Sequence, residues 1–128
     1  MKNILGIGEA VYEILTGDSS VTAAASGGIY PIIADEGVDF PFIIYQREDV
    51  ELANSKDGGY GQTAVIDILC CDDTYQGAID VALAVDSCLS SYRGTVADYE
   101  IEDITLESSS EDYIENAFVQ NLKYRIEI

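Results

Sequence analysis

Residues 62–92 read QTAVIDILCCDDTYQGAIDVALAVDSCLSSY, and this stretch decides the fold. In Gln62 to Cys71 the apolar residues Val65, Ile66, Ile68 and Leu69 occupy both parities, with Asp67 the exception. Side chains alternate across a strand. Apolar residues at both parities therefore specify a central strand. From Asp73 to Tyr92 the period changes. Ala78, Ala82, Val85, Leu89 and Tyr92 fall on one helical stripe, which Ile79, Val81 and Leu83 widen. Asp73 and Gln76 form a start like a capping box, and Gly94 reads as the stop. A strand turning into an amphipathic helix implies a sheet layer packed on a helix layer.

Upstream, Asn3 to Thr16 reads as a helix. Ile4, Ile7, Val11, Ile14 and Leu15 share a face, Asn3 is the cap and Gly17 the stop. Gly6 and Gly8 weaken its first turn by roughly 1 kcal/mol each and read as tolerated residues rather than close approaches. Asp18 to Ser26 is a short helix capped by Asp18. Ile29 to Ile33 is an edge or bulged strand, because Pro31 has no N–H to give a ladder. After a loop at 35–40, Pro41 starts a second strand. Its Phe42-Ile43-Ile44-Tyr45 run calls for cover on both faces, from a helix or a neighbouring subunit. Arg47 to Gly61 is polar and rich in turn formers, so it is a long hairpin arm or a mobile loop with a role of its own.

Downstream, Tyr99 to Leu106 reads as a strand whose apolar phase slips by one residue, which implies a bulge near Asp103. Residues 108–112 read as a loop. The last strand, Asn116 to Ile128, alternates: Phe118, Leu122, Tyr124, Ile126 and Ile128 share one parity. The expected architecture is one α+β domain over residues 1–128. It has a mainly antiparallel sheet of four or five strands, two principal helices on one face, and the long arm.

Charge bounds the function. The chain carries 24 Asp+Glu against 6 Lys+Arg, a net charge of −18, with no histidine. Such a surface repels phosphate, so ordinary nucleic-acid binding is disfavoured. Without histidine, Ser–His and Cys–His catalysis are excluded, as are mixed Cys/His zinc sites. Cys70, Cys71 and Cys88 lack CxxC spacing and read as reduced core filler. The acids at 48, 49 and 51 and at 107, 111 and 112 lack calcium-loop spacing. Gly58-Gly59-Tyr60-Gly61 lacks the Lys-Ser/Thr ending of a phosphate loop. No cofactor or metal is expected. No export signal and no apolar run of about 20 residues is found, which implies a soluble chain made in a cytoplasm.

Four pieces then combine. Gly28-Ile29-Tyr30-Pro31 is followed about ten residues later by Phe40-Pro41-Phe42-Ile43-Ile44-Tyr45-Gln46. Val65-Ile66-Asp67-Ile68 leads through Asp72-Asp73-Thr74-Tyr75 into the helix, and Leu122-Lys123-Tyr124-Arg125-Ile126 closes the chain. Over nearly its whole length the chain resembles a phage tail-completion family, related in fold to the tail terminators of long-tailed phages. The resemblance implies a non-enzymatic subunit of a homo-oligomeric ring, usually six-fold, with a dodecamer as the alternative. Such a ring joins the tail tube to the connector or stopper in the virion neck and is assembled in the host cytoplasm. DNA would pass an acidic bore without specific binding.

On this reading the candidate subunit or partner contacts are Arg47, Glu48, Asp49, Glu51, Lys56 and Tyr60 on the arm, with Tyr30 and Pro31 at the edge. The candidate bore-facing acids are Glu107, Glu111 and Asp112. Two other readings compete. One is an acidic DNA mimic that inhibits a host DNA-binding enzyme. The weaker one is a small metal-dependent hydrolase built on carboxylates alone.

Overall fold

The computed structural model describes the backbone of residues 3–54 and 60–128, with the side chains of 52–54 and 60 excepted. A 3₁₀ turn, Ile4–Gly6, leads into α1 (Gly8–Thr16) and α2 (Ser19–Ala24). Then come β1 (Ile29–Pro31), β2 (Phe42–Asn54), β3 (Tyr60–Asp72) and α3 (Tyr75–Leu89). The chain ends with β4 (Gly94–Val96), β5 (Tyr99–Ile101), β6 (Asp103–Ile114) and β7 (Ala117–Glu127). The main sheet has the order β1-β2-β3-β7-β6, and β4 pairs with β5 as a separate ribbon. All main-sheet pairings are antiparallel except β1 with β2.

β3 is the central strand, as its two-sided apolar pattern requires. One parity, Ala64, Ile66, Ile68 and Cys70, is buried beneath the helices together with Ile43, Leu122, Tyr124 and Ile126. Val11, Leu15, Val81, Val85 and Leu89 close the core from the helix side. At about 25 cal/mol per Å² of apolar area, burial of this one cluster is the main force holding the two layers together.

Several local readings are corrected by packing. The first helix is broken at Ile7 into a 3₁₀ turn and α1. The Tyr99 hydroxyl donates to the Asn3 carbonyl at 2.6 Å, and a Cβ on Gly6 would lie 2.7 Å from that hydroxyl. Gly6 is thus a close approach and not merely a tolerated residue. The helix after β3 starts at Tyr75, with Thr74 rather than Asp73 as its cap. Thr74 Oγ1 accepts from the Gly77 N–H at 3.1 Å and donates to Asp72 Oδ2 at 2.8 Å. Thr74→Ala is expected to cost about 1 kcal/mol, read as a lowered urea midpoint. That helix ends at Leu89, before Gly94, and its Leu83 is 62 % exposed, outside the core stripe.

The phase slip near Asp103 is a change of sheet, from β5 in the ribbon to β6 in the main sheet, where Glu102 N–H donates to the Glu127 carbonyl at 2.8 Å. The register shift itself falls between Leu106 and Ser108. Residues 108–112 are strand, not loop, and pair with β7 along the sheet edge. Their polar composition follows from exposure on this edge strand. Glu115 and Asn116 both have positive φ, 51° and 66°, as a two-residue type I′ hairpin turn requires. In the 47–61 segment the described residues, 47–54 and 60–61, are paired strand: the β2–β3 ladder continues to Asn54 opposite Tyr60, with a shift between Arg47 and Asp49, as an arm requires, while 55–59 lie outside the described residues. On its other side β3 is bonded as far as Gln62, which accepts from the Ile128 N–H at 3.0 Å, so the paired residues beyond it extend past β7.

Candidate functional site

Among the described residues the helices lie on one face of the sheet, and the other, the bare face, carries no helix. On the bare face, strand register builds successive cross-strand rows. Phe42, Cys71, Val119 and Asp112 form one row; Ile44, Leu69, Asn121 and Ser110 form the next; Gln46, Asp67, Lys123 and Ser108 follow. The face is therefore apolar at one end and charged at the other. At the apolar end, Phe40, Phe42, Ile44, Leu69, Cys71, Ile114, Ala117 and Val119 line an open groove of about 220 Å³. The second parity of the central strand supplies its floor, and that parity is the signal by which sequence could have found it.

At the charged end, Lys123 Nζ lies 3.0 Å from Glu48 Oε2. Arg125 reaches Glu107 at 3.7 Å, Glu127 at 3.6 Å and Glu51 at 3.9 Å. Glu48 and Glu51, expected on an interface, and Glu107, expected in a bore, thus share one patch around Lys123 and Arg125, two cations that the sequence places in the closing strand but not among the candidate contacts. The hydrogen bond to Lys123, and then that with Asp67, holds the Glu48 carboxyl below its usual range. The same Glu48 contact raises Lys123. Burial first, then the Glu48 hydrogen bond, pushes Asp67 up. Asp67 Oδ1 and Asn121 Oδ1 are enclosed without a hydrogen-bond partner.

These shifts oppose each other in pH. A raised Asp67 contributes stability below its unfolded pKa and loses it as pH rises. A lowered Glu48 contributes above its unfolded pKa and loses it as pH falls. Asp67→Asn keeps a neutral side chain there, so it is expected to raise stability at neutral pH relative to the parent and to remove the alkaline-going loss. Urea melts from acid to neutral pH check both.

The other candidates are separated. Glu111 lies on the helix side, where Glu111 Oε2 accepts from the Tyr75 hydroxyl at 2.5 Å and from Gln120 Nε2 at 2.7 Å. Asp112 is on the bare-face parity and accepts from the Tyr113 N–H at 2.8 Å. The three proposed bore acids therefore do not form one cluster. Tyr30 and Pro31 sit on the short edge strand β1, and the Tyr30 hydroxyl donates to the Gly27 carbonyl. Arg47, exposed, donates to the Leu5 carbonyl at 3.2 Å. It borders a second hollow, of about 270 Å³, between Leu5, Pro31, Ile32 and Tyr45. Asp49 pairs with Val65 and Tyr60 with Asn54 in the arm, while Lys56 lies outside the described residues.

Burial raises the thiols of Cys71 to about 11 and Cys88 to about 12, and Cys70 further still. They stay protonated at neutral pH and so are poor nucleophiles. Among the described residues no group of three or more Cys, Asp or Glu is placed to hold a metal, and no helix is long and apolar enough to cross a membrane.

The fold is thus a mixed five-stranded sheet with helices on one face and a projecting pair of strands. The family model described as "Tail completion protein gp17" matches residues 9–126. The chain belongs to this family. This tail-completion protein is a structural component of the virion's tail or neck region and is not an enzyme. A solved chain from the virion of a native gene transfer agent particle superposes with a TM-score of 0.80 at 20 % identity, covering 92 % of this chain and 90 % of that one. At that identity the likeness shows a shared fold. A search among curated proteins found no match.

Proposed function

We propose that this tail-completion protein is one subunit of a homo-oligomeric ring at the head–tail junction, joining tail tube to connector while DNA passes through the bore. The observation that carries the reading is the bare sheet face with its apolar groove. Phe40 and Ile114 in its lining are exposed, and Phe42, Ile44 and Leu69 are half-buried. Exposed apolar surface of this kind marks an interaction site. The arm supports the reading as well, since its ladder runs past β7 and offers a contact outside the subunit's own core. The chain's −18 charge supports free passage of DNA, because adhesion requires cations that displace counterions from phosphate.

Native mass spectrometry across a wide concentration range tests the ring. One dominant closed stoichiometry, six subunits being the family's habit, is the expected result. A strict monomer at every concentration, with and without neighbouring tail proteins, would overturn it. If a DNA-binding enzyme were instead the main partner recovered from host lysate, the DNA-mimic reading would replace the ring. Duplex DNA is expected to show no measurable binding even at low salt, read by fluorescence anisotropy.

A further inference from the structure

The two lateral edges of the sheet are unlike and complementary. β1 bounds one side and β6 the other. Six of the nine large hydrophobics exposed among the described residues gather at these two rims. Leu5, Ile32 and Ile33 lie at the β1 side; Tyr75, Tyr113 and Ile114 lie at the β6 side. Both rims carry acids, Asp35, Glu36 and Asp39 following β1, but the β1 rim also carries a cation. The β1 rim presents the exposed guanidinium of Arg47 beside the hollow it shares with Leu5, Ile32 and Tyr45. The β6 rim presents exposed Glu111, Asp112 and Glu115.

Strand direction agrees. β1 runs with β2, β3 runs against β2, β7 against β3 and β6 against β7. β1 and β6 therefore run oppositely. Placed side by side by a ring rotation, the β6 of one copy would lie antiparallel to the β1 of the next, the more favourable pairing. Rings need such head-to-tail contacts between two different patches, whereas a self-complementary patch closes a dimer.

We propose that the β6 rim of one copy docks on the β1 rim of the next, with Arg47 facing the β6 acids and Ile32 seated against the apolar end of β6. This rests on the ring reading and names its contact. Pro31 withholds a donor from the β1 edge, so side-chain packing and charge carry the contact more than a long ladder does. Like charges along β6 also disfavour the wrong pairing, β6 with β6, in a chain this acidic.

The test starts from the parent ring and reads subunit affinity by sedimentation. Arg47→Glu, Ile32→Asp and Asp112→Arg should each weaken it by about tenfold or more. Arg47→Glu combined with Asp112→Arg should recover most of that loss. Leu83→Asp, on the exposed face of α3 away from both rims, should leave affinity unchanged. Circular dichroism melts of the dissociated variants confirm that their fold is kept. A parent that forms rings while Arg47→Glu and Ile32→Asp change affinity by less than about twofold overturns this contact and leaves the ring standing. A parent that never associates overturns both.

Discussion

Tyr124→Ala is expected to unfold most of the chain under conditions where the parent is fully folded. Tyr124 sits on β7 with its ring wholly buried between sheet and α3, and its hydroxyl donates to Asp86 Oδ1 at 2.8 Å. Removing a large aromatic from a packed core costs about 3–5 kcal/mol. It also strips a partner from a half-buried carboxylate, worth about 1–3 kcal/mol more. Domains of this size have roughly 5–15 kcal/mol in total, so the loss takes a large share. Asp86 also closes the end of α3. Ser90 Oγ donates to the same carboxylate oxygen at 2.7 Å, and the Ser90 N–H donates to the Asp86 carbonyl at 3.0 Å. Tyr124→Phe keeps the packing and should lose only about 1–2 kcal/mol. Urea denaturation separates the two variants. Burial, then the Asp86 contact, pushes the Tyr124 phenol up. Its contribution is therefore complete below the unfolded value near 10 and declines as pH rises above that value.

The second large effect is expected at Gly27. Its N–H donates to the Pro41 carbonyl at 2.7 Å, which ties the end of the helical segment to the start of β2. A Cβ there would overlap the Asp39 carbonyl oxygen and lie 2.7 Å from the Pro41 oxygen. Both obstacles are backbone, so no side chain can swing aside. Gly27→Ala is expected to cost about 3 kcal/mol, at the upper end for overpacking. Because the displaced segment carries Phe40, it should also disturb the apolar groove. The readout is the thermal midpoint together with subunit affinity. Gly37→Ala makes a useful contrast: it meets nothing within 4 Å, though its φ of +84° still carries backbone strain.

What sequence made legible follows from where periodicity is strong. Val65 to Leu69 announced a central strand because both parities were apolar, and the structure places that strand at the centre of the sheet. Phe118 to Ile126 announced one buried face, and Leu122, Tyr124 and Ile126 are buried. Asn3 and Asp18 announced caps, since a side-chain acceptor at a helix start has a local function. The edge strand at 108–112 was not legible. With only one hydrogen-bonded neighbour and exposure along its length, it needs no apolar residue, so Ser-Ser-Ser-Glu-Asp reads as loop.

The Gly6 contact with Tyr99 was hidden for another reason. It joins residues far apart in sequence, and no local window carries it. The same holds for the candidate site. The acids Glu48, Glu51 and Glu107 were visible singly, but their convergence on Lys123 and Arg125 depends on β2, β7 and β6 lying in register.

The central claim is that copies of this chain close into a ring around a passage for DNA. Single-particle images of the purified protein, mixed with its neighbouring tail and connector proteins, test it most directly. The expected result is a population of rings of one symmetry, with an open axial channel and adjacent subunits meeting through β1 and β6. Isolated subunits, or a closed two-fold dimer with no channel, would contradict it.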